Sequence, residues 1–169
     1  DCRAIEADLS SEAGCNALAD ALEASEPKLD ILVNNAGATW NAPYADYPEA
    51  AWDRVLDVNV KAVFQLTRRL TPWLALSASA EDPARVINIG SIDGLSVPVM
   101  DTWAYAASKA AVHHLTRMLA RKLAPKQITV NAVAPGPFQS RMMRTTLERL
   151  GDSVAGLVPL GRIGRPDDM

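Results

Sequence analysis

Apolar and polar positions alternate along this chain with two periods, one of two residues and one of roughly 3.6, and the switches between them divide it into strands and helices. Residues 3–7, Arg-Ala-Ile-Glu-Ala, alternate and predict a short strand, and Asp8-Leu9-Ser10 supplies turn and capping chemistry before a helix that reaches about Glu23. A second strand is predicted over Leu29–Val33, running into the turn formers of Asn34-Asn35-Ala36-Gly37. Pro48 stands where a first helical turn tolerates proline. From there Trp52, Val55, Leu56, Val58, Asn59, Val63, Leu66 and Leu70 keep helical spacing, so one long helix is expected to about Leu76. The β-branched run Arg85–Ser91 predicts a third strand and Thr102–Leu123 a helix. Ile128–Val133 predicts a fourth strand, closed by Pro135-Gly136-Pro137. The mixed stretch from Arg141 to Met169 reads as a mobile helical flap followed by a loop.

Strands alternating with helices build an α/β fold, a doubly wound parallel sheet with helices on both faces in three layers. In such sheets ligands bind beyond the carboxyl ends of the strands. Asp8, Asn34 to Gly37, Gly90-Ser91 and Pro135-Gly136 all fall at those ends, so four loops are expected to converge on one crevice. No repeat or linker divides residues 1–169, which read as a single domain. A chain that begins on a strand, stops at Arg165-Pro166-Asp167-Asp168-Met169 and lacks Gly-x-Gly-x-x-Gly reads as a fragment.

Composition narrows the function. Of 169 residues 49% are hydrophobic and 22% charged, with a net charge of −3, the proportions of a globular domain with no basic excess for nucleic acid. No apolar run approaches the roughly 18 residues of a spanning helix, and no signal peptide is legible, so no membrane partner is expected. Cys2 and Cys15 are too few for a disulfide framework, which fits a reducing cytoplasm. Adjacent His113 and His114 point to different sides of a helix, so they are assigned surface or packing roles and no metal is expected. Trp40, Trp103 and Met142-Met143 stand beside the expected mouth, lining an apolar acyl pocket or simply packing, while Trp52 and Trp73 are assigned to core or interface.

Tyr105 and Lys109 are four apart and share one helix face. Alone such a pair is commonplace. Together with Asp8-Leu9, Asn34-Asn35-Ala36-Gly37, Asn59 of Asp-Val-Asn-Val, Ser91 of Ile-Gly-Ser, Pro135-Gly136 with Ser140 beyond, and Arg162-x-Gly-x-Pro-Asp-Asp, it resembles the classical short-chain dehydrogenase/reductase family over almost the whole chain. The stretches 7–14, 84–91 and 138–142 look most like the branch of β-ketoacyl reductases associated with rhamnolipid synthesis.

The resemblance implies a Rossmann-type fold lacking here its first two strands and its last. It also implies a nicotinamide-dependent oxidoreductase acting on a ketone or secondary alcohol. Tyr105 is then the general acid in reduction and the base in oxidation. Lys109 favours the phenolate and holds the nicotinamide ribose hydroxyls, Ser91 stabilises charge on the substrate oxygen, and Asn59 holds a water that links Lys109 to solvent. Asp8 and Leu9 are placed by the adenine, Asn34, Ala36 and Gly37 along the dinucleotide, and Pro135 and Gly136 by the nicotinamide. Ser140 stands where the family usually has Thr. The fourteen residues from Ser91 to Tyr105 are a long separation, so the 92–103 loop is expected to carry an extra residue. The branch implies NADP(H) rather than NAD(H), a 3-oxoacyl thioester as substrate, and a homodimer or homotetramer. The residues that would meet a 2′-phosphate are not in this sequence. A family member acting on a sugar, steroid or small alcohol is one alternative, and a non-catalytic nucleotide-binding scaffold another. The 169-residue chain alone is expected neither to fold stably nor to turn over.

Overall fold

The computed structural model describes residues 2–140, 142–151 and 153–168. At its centre is a parallel three-stranded sheet in the order β1 (Ile31–Asn34), β2 (Ala84–Ile89), β3 (Ile128–Val133). Between β1 and β2 the chain runs through α2 (Glu49–Leu56), a π-helical turn (Asp57–Lys61) and α3 (Ala62–Ser77). Between β2 and β3 it runs through α4 (Trp103–Leu123), so each parallel pairing has the long crossover it requires. The register sets Asn34 opposite Asn88 and Ile89 opposite Val133.

Period-2 alternation decides what the sheet covers. Ala84, Val86, Ile128 and Val130 point to one face, where they join Leu74 of α3 and Leu119 and Leu123 of α4 in a buried cluster. Removing its Val, Leu and Ile side chains from water stabilises by about 1.5–3 kcal/mol each, and this cluster fixes both helices on the sheet. A second cluster sets Cys15 of α1 (Glu12–Glu23) against Ala62 and Leu66 of α3. The α1 start is capped one residue beyond the expected Asp8-Leu9-Ser10, with the Gly14 N–H donating to Ser11 Oγ at 3.1 Å. The short helices α5 (Arg144–Leu150) and α6 (Ser153–Gly156) follow, the helical flap expected there. Arg141 and Met169, the ends of that stretch, lie outside the described residues.

The structure departs from the sequence reading in three places. Residues 3–7 form no strand, because alternation supplies no ladder neighbour and their side chains are mostly exposed. Strand β1 starts at Ile31 rather than Leu29, since the Leu29 N–H donates to the Trp73 carbonyl beyond the sheet. The single long helix is interrupted by the π turn at Asp57–Lys61, an extra residue that apolar spacing does not reveal. The parallel α/β sheet itself is the one expected; among the described residues the cluster holding α3 and α4 covers one face, and Ile31, Val33 and Val133 on the other are exposed. No described helix is long and apolar enough to cross a membrane.

Candidate active site

The loops after β1, β2 and β3 leave from one end of the sheet, and helix α4 starts beside them. Ser91 follows β2 directly, is buried, and caps a short helical turn at Ile92–Gly94, its Oγ accepting the Asp93 N–H at 3.1 Å. That bond fixes the hydroxyl oxygen and leaves its proton to donate elsewhere. The Ile92 N–H donates to the Pro135 carbonyl at 3.2 Å, tying the Ser91 loop to the turn after β3.

Tyr105 and Lys109 lie on the first two turns of α4, as their spacing predicts. Lys109 is 5% exposed, and its Nζ donates to the Ile89 carbonyl at 2.6 Å and lies 5.5 Å from the centre of the Tyr105 ring. Burial lowers its pKa to about 8. The Tyr105 phenol is pushed above its ordinary value, chiefly by burial and further by the Asp93 carboxylate, while a hydrogen bond with Ser91 pulls the other way. Desolvation of the phenolate thus sets the direction of the shift, opposite to the lowering expected from Lys109. Asp93 is itself pushed up by burial. The arrangement brings a hydroxyl donor, a protonated phenol and a buried amine together at the end of β2.

Asn59 sits inside the π turn and is 1% exposed. Its Oδ1 accepts the Ala38 N–H at 2.7 Å, and its Nδ2 donates to the Ala38 carbonyl at 2.9 Å and to Ser108 Oγ at 2.9 Å. Its side chain thus joins the loop after β1 to α4, next to Lys109. A Cβ on Gly37 would stand 3.6 Å from Asn59 Oδ1 and 3.9 Å from Lys109 Nζ, so Gly37 closes this cluster with bare backbone.

The remaining predicted residues divide into two groups. Ala36, Gly37, Gly136 and Ser140 are exposed at the strand ends, and nothing stands within 4 Å of a Cβ built on Gly136. Ser140 accepts the Met143 N–H at 3.2 Å and lines a cavity of about 640 Å³ with Gln139, Arg144, Leu147 and Glu148. Pro135 is half-buried in the same turn. Asp8, held below its ordinary pKa by the Ser10 N–H and hydroxyl, lines a second cavity of about 500 Å³ with Ser10, Arg54, Asp57 and Val58. Leu9 and Asn34 are placed differently. Leu9 packs against the α1–α3 cluster, and Asn34 is buried, its Nδ2 donating to Asn88 Oδ1 at 2.8 Å and Thr67 Oγ1 at 3.2 Å.

Sequence reasoning missed that polar layer. Asn88 Nδ2 donates in turn to Thr116 Oγ1 at 2.9 Å, so β1, β2, α3 and α4 are joined by side-chain hydrogen bonds just beneath the site. The available signal was a polar residue interrupting each apolar stripe: Asn88 within Val-Ile-Asn-Ile, Thr67 in α3, Thr116 in α4. His113, assigned only a surface or packing role, reaches the Ser91 backbone, whereas His114 is exposed. At the mouth, Trp103 Nε1 donates to the Ala42 carbonyl at 3.2 Å and its ring meets Tyr44 edge-on at 5.5 Å, linking the loop after β1 to the start of α4. Trp40 and Met142 are exposed there. Trp73 Nε1 donates to the Glu26 carbonyl, and Trp52 meets Tyr47 edge-on near the surface.

A family model described as short chain dehydrogenase matches residues 1–151. The chain is 50% identical, over its whole length and 67% of the relative's, to the rhamnolipids biosynthesis 3-oxoacyl-acyl-carrier-protein reductase of Pseudomonas aeruginosa. It is 37% identical to nodulation protein G of Azospirillum brasilense, over 97% of this chain and 65% of that one. Among solved structures, the Pseudomonas aeruginosa RhlG/NADP active-site complex superposes with a TM-score of 0.95 at 49% identity, covering 99% of this chain and 66% of that one. The chain therefore spans about two thirds of the length of these relatives.

Proposed function

Because the chain belongs to the short-chain dehydrogenase family, we propose that it reduces a ketone with a nicotinamide coenzyme, NADPH in preference to NADH, and that the ketone is a 3-oxoacyl thioester. The observation that carries this reading is the meeting of Ser91, Tyr105 and Lys109 at the end of β2. The choice of substrate and coenzyme is supported by the half-identity with a 3-oxoacyl reductase and the likeness to a structure with NADP.

The residues fit the coenzyme. Lys109 Nζ has three N–H bonds and, among the described residues, one acceptor, so two remain for the ribose hydroxyls, and Gly37 beside it presents no side chain. When bound, the nicotinamide supplies the hydride. Tyr105, raised above its ordinary pKa, is protonated at neutral pH and gives its proton to the substrate oxygen. Ser91, its oxygen held by the Asp93 N–H, donates its own hydrogen bond to that oxygen as negative charge builds. Asn59 fixes the loop carrying Gly37 and Ala38 against α4 and so sets the floor on which Lys109 stands. Asp8 and the cavity it lines take the adenosine end, Ser140 and its cavity border the dinucleotide, and Ala36, Pro135 and Gly136 of the loops after β1 and β3 border it too. Tyr44, Trp103, Val97 and Val99 offer exposed apolar surface to an acyl chain.

Residues 1–169 act as one domain, in the cytoplasm, in a homodimer or homotetramer; exposed Trp52, Phe64 and Met118 on α2, α3 and α4 support the assembly. The test is NADPH oxidation by the protein as its source organism makes it, with a 3-oxoacyl thioester. Tyr105→Phe is expected to lower turnover by about 10² to 10⁴. Undiminished turnover in that variant would sink the mechanism, and turnover of simple ketones with none of thioesters would remove the substrate assignment.

A further inference from the structure

One turn beyond Lys109 on α4 stands His113. Its Nε2 lies 3.0 Å from the Ser91 carbonyl oxygen. A carbonyl only accepts, so Nε2 carries the proton and donates. The Ser91 N–H approaches the same nitrogen at a longer 3.5 Å. The contact depends on Gly90, where a Cβ would overlap ring atoms Cε1 and Nε2 of His113. The far end of the turn is pinned as closely: a Cβ on Gly94 would stand 2.5 Å from the Lys109 carbonyl carbon and 2.6 Å from the Ala110 nitrogen. The Ser91 carbonyl also accepts the Gly94 N–H at 3.1 Å, a bond within the turn, so the His113 bond is the one that ties this carbonyl to α4.

We propose that His113 is a positioning residue for the reaction: by holding the Ser91 carbonyl and packing on Gly90, it sets the Ser91 hydroxyl against Tyr105. This rests on the reading of Ser91 and Tyr105 as the reacting pair. Ser91 stands in the loop after β2 and Tyr105 on helix α4, and no covalent geometry fixes one against the other. His113 shares a rigid helix with Tyr105 and reaches across to the loop of Ser91, so it closes that gap. Misplacement of a reacting group by a fraction of an ångström lowers the chemical step without weakening ground-state binding.

The experiment is a kinetic series on the full-length protein with NADPH and a 3-oxoacyl thioester. His113→Leu removes the donor and is expected to lower kcat by about 10-fold to 100-fold with KM nearly unchanged. His113→Gln, whose amide can donate to the same carbonyl, is expected to recover most of that loss. In a Ser91→Ala background, assayed at enzyme concentrations where residual turnover is measurable, His113→Leu should cost nothing further. An equal loss in both backgrounds would assign His113 to general packing and overturn the proposal. So would full kcat in His113→Leu, or a folded His113→Gln as slow as His113→Leu. Should His113→Leu fail to fold, Gly90→Ala displaces the ring from the loop side, and full kcat in that folded variant overturns the proposal equally. Ser91→Ala and Tyr105→Phe report on the reading beneath it: if they keep full turnover, that reading falls, whereas loss in both with no effect at His113 or Gly90 removes only this inference.

Discussion

Lys109 carries the largest electrostatic cost of any residue in the site, an ammonium that is 5% exposed with the Ile89 carbonyl as its acceptor. Its folded pKa of about 8 lies below the unfolded value, so between pH 8 and about 10.5 the unfolded chain binds more protons and stability rises with pH. Below pH 8 the charge is buried at full cost. Lys109→Met, of similar length and without charge, should therefore raise the melting temperature of the coenzyme-free protein at pH 7 while abolishing turnover. The advantage over the parent should shrink, by up to about 3 kcal/mol, between pH 8 and 10.5. Thermal melts of both proteins across that range read the effect, and a constant difference would mean that Lys109 is not held at this cost. Tyr105 shows the same force from the other side, since burial that disfavours the ammonium also disfavours the phenolate. Spacing in the sequence brings Tyr105 and Lys109 together, but only depth of burial decides which way each is shifted.

The elements repeat that division between what spacing carries and what it does not. Strand β3 and helix α4 were legible to within a residue, because alternation and helical periodicity are local signals. The π turn was not, because one inserted residue leaves the apolar spacing almost intact while turning Asn59 inward. Once inward, Asn59 donates both its amide N–H bonds, to Ala38 and Ser108, and accepts the Ala38 N–H. The Asn34–Asn88–Thr116 layer was hidden for a related reason: its members are far apart in sequence and meet only through strand register and helix packing. Asn59→Leu keeps the volume and strands the N–H and carbonyl of Ala38, so it should destabilise by about 3 kcal/mol. The loss should be local first, with the Ala38 amide exchanging with solvent far faster than the β2 amides. Unchanged Ala38 exchange in a folded Asn59→Leu protein would mean that another contact holds the loop.

For the whole molecule the parallel order β1-β2-β3 puts every loop of the site at one end, and this convergence was readable from the alternation of strands and helices alone. What that alternation left open was how much of each face is covered. On the helix-covered face the cluster from Leu74 to Val130 is closed; on the other, Ile31, Val33 and Val133 are 49%, 51% and 42% exposed. Apolar side chains adjoining across a sheet form a patch that water disfavours, and two sheets meeting face to face would bury it at about 25 cal/mol per Å². The 169-residue chain prepared alone should therefore self-associate as its concentration rises and bind a hydrophobic dye. Ile31→Glu places a carboxylate opposite Arg85 on that face, and Val133→Glu interrupts the patch at the far strand. The double variant should sediment as a smaller species and bind less dye, since both substitutions put charge on the patch and neither removes a buried contact. A parent chain that stays monomeric and dye-free at the same concentrations would show that the exposed face is satisfied from within the chain.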